Sequence, residues 1–266
     1  MPEDPVSRRR LLGGGLASAL PWPAVPARWA PPRVPPLVMV DPGHGGVDPG
    51  AIGVSGVYEK QITLLAAFEL RRQLLAAGRY RVMLTRTQDR FVSLEERVAM
   101  AERARADLFV SLHADEIADP AIRGASIYTM SNTASDAQTA ALAKSENAAD
   151  RLAGPGFRGI SPEVGQILAS LVREETRRHS ATLARDAVAA LEARIVLLPN
   201  PARHARFFVL KAPDIPSVLL EMGFVSNRLD EAALRQPAHR AAIASALTLA
   251  TGRYFNAVGR GAMLAG

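Results

Sequence analysis

The chain of 266 residues contains no cysteine. This absence excludes disulfide bonds, thiolate metal sites and a cysteine nucleophile. Any metal ion therefore has to be bound by histidine, aspartate or glutamate. The five histidines available for such a site are His44, His113, His179, His204 and His239.

Long apolar runs and aromatic residues are also scarce. No run approaches the roughly 18 apolar residues that a membrane span needs, so no transmembrane segment is expected. Only 2 Trp, 4 Tyr and 8 Phe are present, and no basic stripe is interleaved with them. The net charge of +6 is mild, so nucleic acid is not an expected partner. The same charge is compatible with an anionic polymer such as the cell wall.

The first 30 residues have the pattern of an export signal. A cationic stretch over residues 7–10 precedes a weakly apolar run rich in glycine and alanine, which is typical of a secretory signal. The paired arginines favour the twin-arginine type, and a disordered basic tail is the alternative. We therefore expect a signal peptide over 1–30, a linker over 31–36 and export to the periplasm.

Short apolar strands alternate with helical patterns along the rest of the chain. Apolar runs that predict strands, or resume the core pattern, lie at 37–40, 80–84, 108–112, 124–130, 207–210 and 217–220. Helical spacing covers 62–77, 93–104, 134–152, about 162–191 and 230–254. This alternation indicates an α/β fold with a largely parallel sheet. We expect one domain over 37–256 with a helical insertion over about 134–200.

Imidazole and carboxyl groups follow three of the predicted strands. His44, His113 and Glu221 each lie just past a strand, and Glu59 opens the first helix. Because functional sites of α/β sheets lie beyond the carboxyl ends of the strands, one fold brings these groups together. Two imidazoles and a carboxylate form a common catalytic zinc set, and an unligated carboxylate such as Glu221 then acts as general base. A purely structural role for each histidine is the alternative.

Five motifs resemble the zinc-dependent N-acetylmuramoyl-L-alanine amidases, which cleave bacterial peptidoglycan. The motifs are DPGHGG at 41–46, YEK at 58–60, LTRTQD at 84–89, SLHAD at 111–115 and FVLKAPDIPSVLLEMGFVSN at 208–227. Their order and spacing are kept from about Leu37 to Tyr254. The resemblance therefore covers most of the chain that follows the expected signal.

The resemblance implies a fold, a cofactor and a reaction. It implies a twisted, mixed, mainly parallel six-stranded sheet flanked by helices, with Zn²⁺ on His44, Glu59 and His113 and with Glu221 as the catalytic carboxylate. The implied reaction hydrolyses the amide between N-acetylmuramic acid and L-alanine of the stem peptide, in wall remodelling or daughter-cell separation. A zinc peptidase on a similar fold and a wall-binding protein without catalysis are the alternatives.

Two further residues have candidate roles. Arg86 is a possible contact for substrate carboxylates, and bracing of the sheet edge is the equal alternative. Some members of the family place a helix over the zinc until an activator protein displaces it, and the segment AKSENAAD at 143–150 resembles the start of that element. Glu146 is therefore a candidate autoinhibitory metal ligand within a regulatory insertion. A solvated acid paired with a nearby base is the alternative.

Overall fold

The computed structural model describes residues 34–149 and 166–264, and the compact unit within them begins at Pro35. Its strands are β1 Leu37–Pro42, β2 Arg81–Leu84, β3 Leu108–His113, β4 Ala125–Met130, β5 Leu197–Ala205 and β6 Ser217–Glu221. Its helices are α1 Glu59–Ala76, α2 Leu94–Ala104, α3 Ala137–Glu146, α4 Gln166–Glu192, α5 Arg228–Arg235 and α6 Pro237–Leu264. The expected signal peptide and the start of the predicted long helix lie outside the described residues.

The six strands form one mixed sheet in the order β2-β1-β3-β6-β4-β5. All neighbouring strands are parallel except β4 and β6, which are antiparallel. Strands β1, β3 and β6 are buried along their whole length, as expected for parallel strands covered on both faces. The predicted α/β fold with a mixed, mainly parallel six-stranded sheet is confirmed. None of the described helices is both long and apolar enough to cross a bilayer.

Helices cover both faces of the sheet. One face packs against α1, α4 and α6, and the other packs against α2, α3 and a single 3₁₀ turn. Within α4 the buried residues Leu183, Ala187 and Leu191 belong to the first of these cores. The C-terminal half of the predicted insertion is therefore part of the flanking helical layer.

The fifth strand lies earlier in the chain than the apolar run at 207–210 predicts. Residues Leu197–Ala205 form β5, whereas Phe208–Leu210 is the 3₁₀ turn that buries Val209 and Leu210. Strand β5 lies at the edge of the sheet and contains Pro199 and Pro201. Prolines are tolerated at an edge because no ladder hydrogen bond is lost there, but they remove the apolar run by which a strand is recognised.

The last predicted helix, over 230–254, is two helices. Helix α5 begins after Asn227, whose side chain accepts hydrogen bonds from the backbone of Leu229 and Asp230. Gln236 is extended, and α6 begins at Pro237. The residue before a proline is driven out of the helical region by the proline ring, which explains the break.

Candidate metal centre

The predicted site residues meet where β1, β3 and β6 end. His44 follows β1 by two residues, and His113 and Glu221 are the last residues of β3 and β6. In the parallel register these two residues lie directly opposite each other. Glu59 is the first residue of α1 and is fully buried. The parallel sheet therefore brings all four residues to one edge, as the sequence predicts.

Glu146 on α3 is a fourth potential metal ligand, beside His44, Glu59 and His113. The carboxylate of Glu59 places Oε2 3.1 Å from His44 Nε2 and Oε1 3.3 Å from His113 Nδ1. Glu146, the last residue of α3, places its oxygens 3.6 Å and 3.1 Å from the same two nitrogens. The ligand atoms of these four buried residues all lie within 4.8 Å of one another.

The donor set fits a divalent cation. His44 Nε2 and His113 Nδ1 are buried and have no hydrogen-bond partner among the described residues. Burial acts to lower the pKa of His44, but Glu59 and Glu146 outweigh it and raise the pKa well above its usual value. The negative potential that favours a proton on the imidazole also favours a cation at the same point. Histidine nitrogens and carboxylate oxygens are common ligands of zinc.

Two glycines allow the close packing of these ligands. A Cβ on Gly43 would lie 2.4 Å from Cε1 of His113, and one on Gly50 would lie 2.6 Å from Oε2 of Glu59. Both distances are shorter than real Cβ contacts. Gly43, in the first motif, and Gly50 are therefore spatial requirements of the cluster.

Glu59 is held in place by backbone donors. Its Oε2 accepts a hydrogen bond from Ala51 N (2.9 Å) and its Oε1 accepts one from Ala114 N (2.7 Å). Burial alone would raise the pKa of Glu59, but His44 and His113 lower it well below its usual value. The carboxylate is thus ionised and oriented, as a metal ligand has to be.

Glu221 differs from Glu59 in its environment. Its Oε2 accepts a hydrogen bond from Asp115 N (3.0 Å), whereas its buried Oε1 has no partner among the described residues. Burial, reinforced by the charges of Glu59 and Glu146 and opposed by His113, raises the pKa of Glu221 to about 8. A carboxyl group with a pKa near neutrality can both accept and return a proton.

Arg86 is buried beneath the site, with only 1% of its surface exposed. Its guanidinium donates hydrogen bonds to the carbonyls of Pro42 (3.0 Å), Gly43 (2.8 Å) and Lys60 (2.8 Å). Since these bonds tie β1 and its following turn to α1, they favour the bracing role over contact with substrate.

Two supporting residues were missed by the sequence reasoning. Asp48 Oδ2 lies 2.9 Å from His44 Nδ1, and Arg97 donates hydrogen bonds to His44 O (2.8 Å) and Asp41 Oδ1 (2.6 Å). The second Asp-Pro-Gly, at 48–50, was a signal that could have indicated Asp48. Arg97 gave no signal because its partners lie more than 50 positions away in the chain.

Glu146, which is 5% exposed, lines two spaces beside the cluster. The inner cavity, bordered by His44, Arg97, His113 and Glu146, has a volume of about 10 Å³. This is about the space that a single water molecule needs. The outer groove has about 360 Å³ and is lined partly by Asp115 and Glu146. The outer groove is therefore much the larger of these two spaces bordered by Glu146.

Comparison with known sequences agrees with this geometry. A family model described as N-acetylmuramoyl-L-alanine amidase matches residues 38–252. N-acetylmuramoyl-L-alanine amidase AmiA of Salmonella typhimurium is 40% identical over 221 residues, which cover 83% of this chain and 76% of AmiA. AmiC of Neisseria meningitidis serogroup B is 39% identical over 223 residues, which cover 83% of this chain and 53% of AmiC. The chain thus spans about half the length of that AmiC.

Solved structures share the fold. N-acetylmuramoyl-L-alanine amidase AmiC2 of Nostoc punctiforme has a TM-score of 0.59 at 25% identity, over 83% of this chain and 97% of AmiC2. The CwlD amidase of Clostridioides difficile, solved in complex with the GerS lipoprotein, has a TM-score of 0.62 at 22% identity, over 84% of this chain and 99% of CwlD. The extent of the sequence matches shows that the chain belongs to the Amidase_3 family of N-acetylmuramoyl-L-alanine amidases, which are hydrolases.

Proposed function

We propose that this chain is a zinc-dependent peptidoglycan hydrolase that cleaves the amide between N-acetylmuramic acid and L-alanine of the stem peptide. The observation that carries the proposal is the cluster of His44, Glu59 and His113, in which two unpartnered imidazole nitrogens face a buried carboxylate. These three residues would hold the metal ion.

Catalysis needs a proton to move from the attacking water to the leaving amine. A zinc ion held here would supply a Lewis acid for the scissile carbonyl and would lower the pKa of water. Glu221 Oε1 is the free acceptor for the proton of that water, because Oε2 is engaged with Asp115 N. The same oxygen then gives the proton to the amino group of L-alanine as the amide bond breaks.

Glu146 is proposed to keep the enzyme inactive. Its carboxylate faces the same two imidazole nitrogens as Glu59 does, so it would take the position that catalysis needs open. His113, followed by His44, outweighs burial and lowers the pKa of Glu146 to about 2, so this carboxylate is ionised at neutral pH. An activator protein that displaces the end of α3 would open the site.

The cellular setting follows from the substrate. Peptidoglycan lies outside the cytoplasmic membrane, so the expected signal over residues 1–30 fits export to the periplasm, by the twin-arginine route. Those residues lie outside the described ones. Wall remodelling and daughter-cell separation are the proposed roles.

Digestion of purified sacculi tests the proposed reaction. The full chain, and a Glu146→Ala variant with the block removed, would be incubated with sacculi and the soluble products analysed by mass spectrometry. Intact stem peptides with a free L-alanine amino group are expected, and a chelator should stop their release until zinc is restored. Cleavage within the stem peptide would indicate a peptidase instead, and no cleavage by either form would indicate a wall-binding protein.

A further inference from the structure

Asp48 contacts His44 on the ring nitrogen that does not face the cluster. Asp48 Oδ2 lies 2.9 Å from Nδ1 of His44, and both side chains are buried. On the other side of the ring, Nε2 faces Glu59 and Glu146. We propose that Asp48 is the positioning residue that fixes His44 as an Nε2 ligand of the metal ion. This inference rests on the proposed metal site.

The hydrogen bond determines which nitrogen is free. An ionised carboxylate only accepts hydrogen bonds, so Nδ1 of His44 donates to Asp48 and carries the ring proton. The lone pair of a neutral imidazole then lies on Nε2, directed at the cluster. His113 presents its Nδ1 instead, 3.3 Å from Glu59 and 3.1 Å from Glu146. The two imidazoles therefore use different nitrogens, and Asp48 explains the choice at His44.

The backbone fixes Asp48 independently of the histidine ring. Gly45 N donates to Asp48 O (2.9 Å), and Asp48 N donates to Gly45 O (3.1 Å). Asp48 Oδ1 also accepts a hydrogen bond from Gly50 N (3.0 Å). The carboxylate thus has one oxygen held by the turn and the other on the imidazole. Carboxylate partners of this kind raise the basicity of a ligating histidine and orient its ring.

The competing explanation is that Asp48 only stabilises the turn after β1. Asp89 provides a matched control, because its carboxylate also holds this turn. Asp89 Oδ1 accepts from Gly46 N (2.7 Å) and Oδ2 accepts from Lys60 Nζ (2.8 Å). If support of the turn were the whole role of Asp48, removing either carboxylate would have a similar effect on metal binding.

Zinc affinity separates the two explanations. We would measure dissociation constants by competition with a chromogenic chelator, using the full chain and its Asp48→Ala, Asp48→Asn and Asp89→Ala variants. Asp48→Ala should weaken zinc binding about 10- to 100-fold, and Asp89→Ala should change it by no more than about threefold. Asp48→Asn should fall between them, since its single carbonyl oxygen cannot serve both N–H donors. If Asp48→Ala does not fold, Asp48→Asn and Asp89→Asn are compared.

The protonation pattern of the ring gives a second readout. In ¹⁵N NMR spectra of the zinc-loaded, histidine-labelled chain, Nδ1 of His44 should carry the proton, and this signal should shift or broaden in the Asp48 variants alone. Equal zinc affinities in Asp48→Ala and the unaltered chain, or equal losses in the Asp48 and Asp89 variants, would overturn the inference. Failure of the unaltered chain to bind zinc would overturn the proposed metal site itself.

Discussion

At the scale of single residues, two buried glutamates of the site have opposite protonation behaviour. Glu59 accepts hydrogen bonds from two backbone amides. Burial acts to raise its pKa, but the imidazoles of His44 and His113 outweigh burial and lower it. Glu221 has one such bond and a free Oε1, and its pKa is raised to about 8. This difference supports the proposed ligand role of Glu59 and the proposed proton-transfer role of Glu221.

Replacement of Glu221 by glutamine tests that assignment. The amide cannot accept the proton of the attacking water, so release of stem peptides should fall by about 10²- to 10⁴-fold. Zinc content should stay at the level of the unaltered chain, because Glu221 is not among the proposed ligands. Metal analysis and the sacculus assay on the same preparation would measure both. Undiminished hydrolysis would remove Glu221 from its proposed role.

Beneath the site, Asp41 and Arg97 form a buried ion pair with a 2.6 Å contact. Burial acts to raise the pKa of Asp41, but Arg97 and the hydroxyl groups of Thr85 and Ser111 outweigh it and lower the pKa. A folded-state pKa below the unfolded value stabilises the fold above the unfolded pKa, and this stability is lost as the pH falls through the folded pKa.

Asp41→Asn should therefore destabilise the fold in a pH-dependent way. At about pH 7 the loss should reach about 3–5 kcal/mol, because the buried charge of Arg97 loses its anionic partner. The difference from the unaltered chain should shrink as the pH falls from neutral through the lowered pKa of Asp41, where Asp41 itself becomes protonated. Urea unfolding across this range would measure it. A difference that does not change with pH would contradict the ion-pair explanation.

The sequence predicts the residues that carry chemistry better than those that support them. His44, Glu59, His113 and Glu221 lie in recognisable motifs next to predicted elements, and the structure brings them together. The contact of Arg97 with the turn after β1 depends on how α2 packs, which no local pattern encodes.

At the scale of elements, the C-terminal end of α3 places Glu146 beside the imidazoles of His44 and His113. The side chain of Asn147, which follows Glu146, donates to Arg206 O (2.7 Å) and accepts from Phe208 N (2.8 Å). These two bonds tie the end of α3 to the 3₁₀ turn that follows β5. They hold Glu146 at the imidazoles of His44 and His113.

Loss of the Glu146 carboxylate, or of the two hydrogen bonds of Asn147, should raise the amidase activity measured without an activator. Glu146→Ala removes the blocking carboxylate, and Asn147→Ala removes the two bonds that hold it, so Glu146→Ala should have the larger effect. Lys144→Ala, at an exposed position of α3, is the matched control. Dye release from labelled peptidoglycan would measure all three variants. An increase in Glu146→Ala no greater than that in Lys144→Ala would contradict autoinhibition.

Strands and helices can be predicted from the sequence where burial produces a strong apolar pattern. They are missed where burial produces no such pattern. The apolar runs at 37–40 and 108–112 predict β1 and β3, and the helical spacing over 93–104 predicts α2, whose first turn is capped by Ser93. Strand β5 was missed, because an edge strand containing proline lacks an apolar run. Its place in the sheet depends on pairing with β4, which is a long-range contact.

At the scale of the whole molecule, a bound cation would join segments that are far apart in sequence. His44, Glu59, His113 and Glu146 come from the β1 turn, α1, β3 and α3. Folding collects these groups in a buried site, where the carboxylates lie close together. A cation that binds only the folded state therefore stabilises the whole domain.

Removal of zinc should lower the thermal stability. At a free zinc concentration about 1,000 times the dissociation constant, binding adds about 4 kcal/mol, which corresponds to roughly 10 °C in Tm for a domain of this size. Calorimetry with zinc, with chelator and with magnesium would measure the shift. Magnesium should have little effect because it prefers an octahedral set of oxygen ligands. An equal shift in His113→Ala would place the stabilising zinc elsewhere.

In the proposed metal site, His44, Glu59 and His113 together hold one zinc ion. Anomalous diffraction at the zinc absorption edge, from crystals of the zinc-loaded full chain, would locate that ion. We expect one strong peak at about 2.0–2.2 Å from His44 Nε2, His113 Nδ1 and an oxygen of Glu59. A peak at another set of residues, or no peak at this cluster in zinc-saturated crystals, would contradict the proposed site.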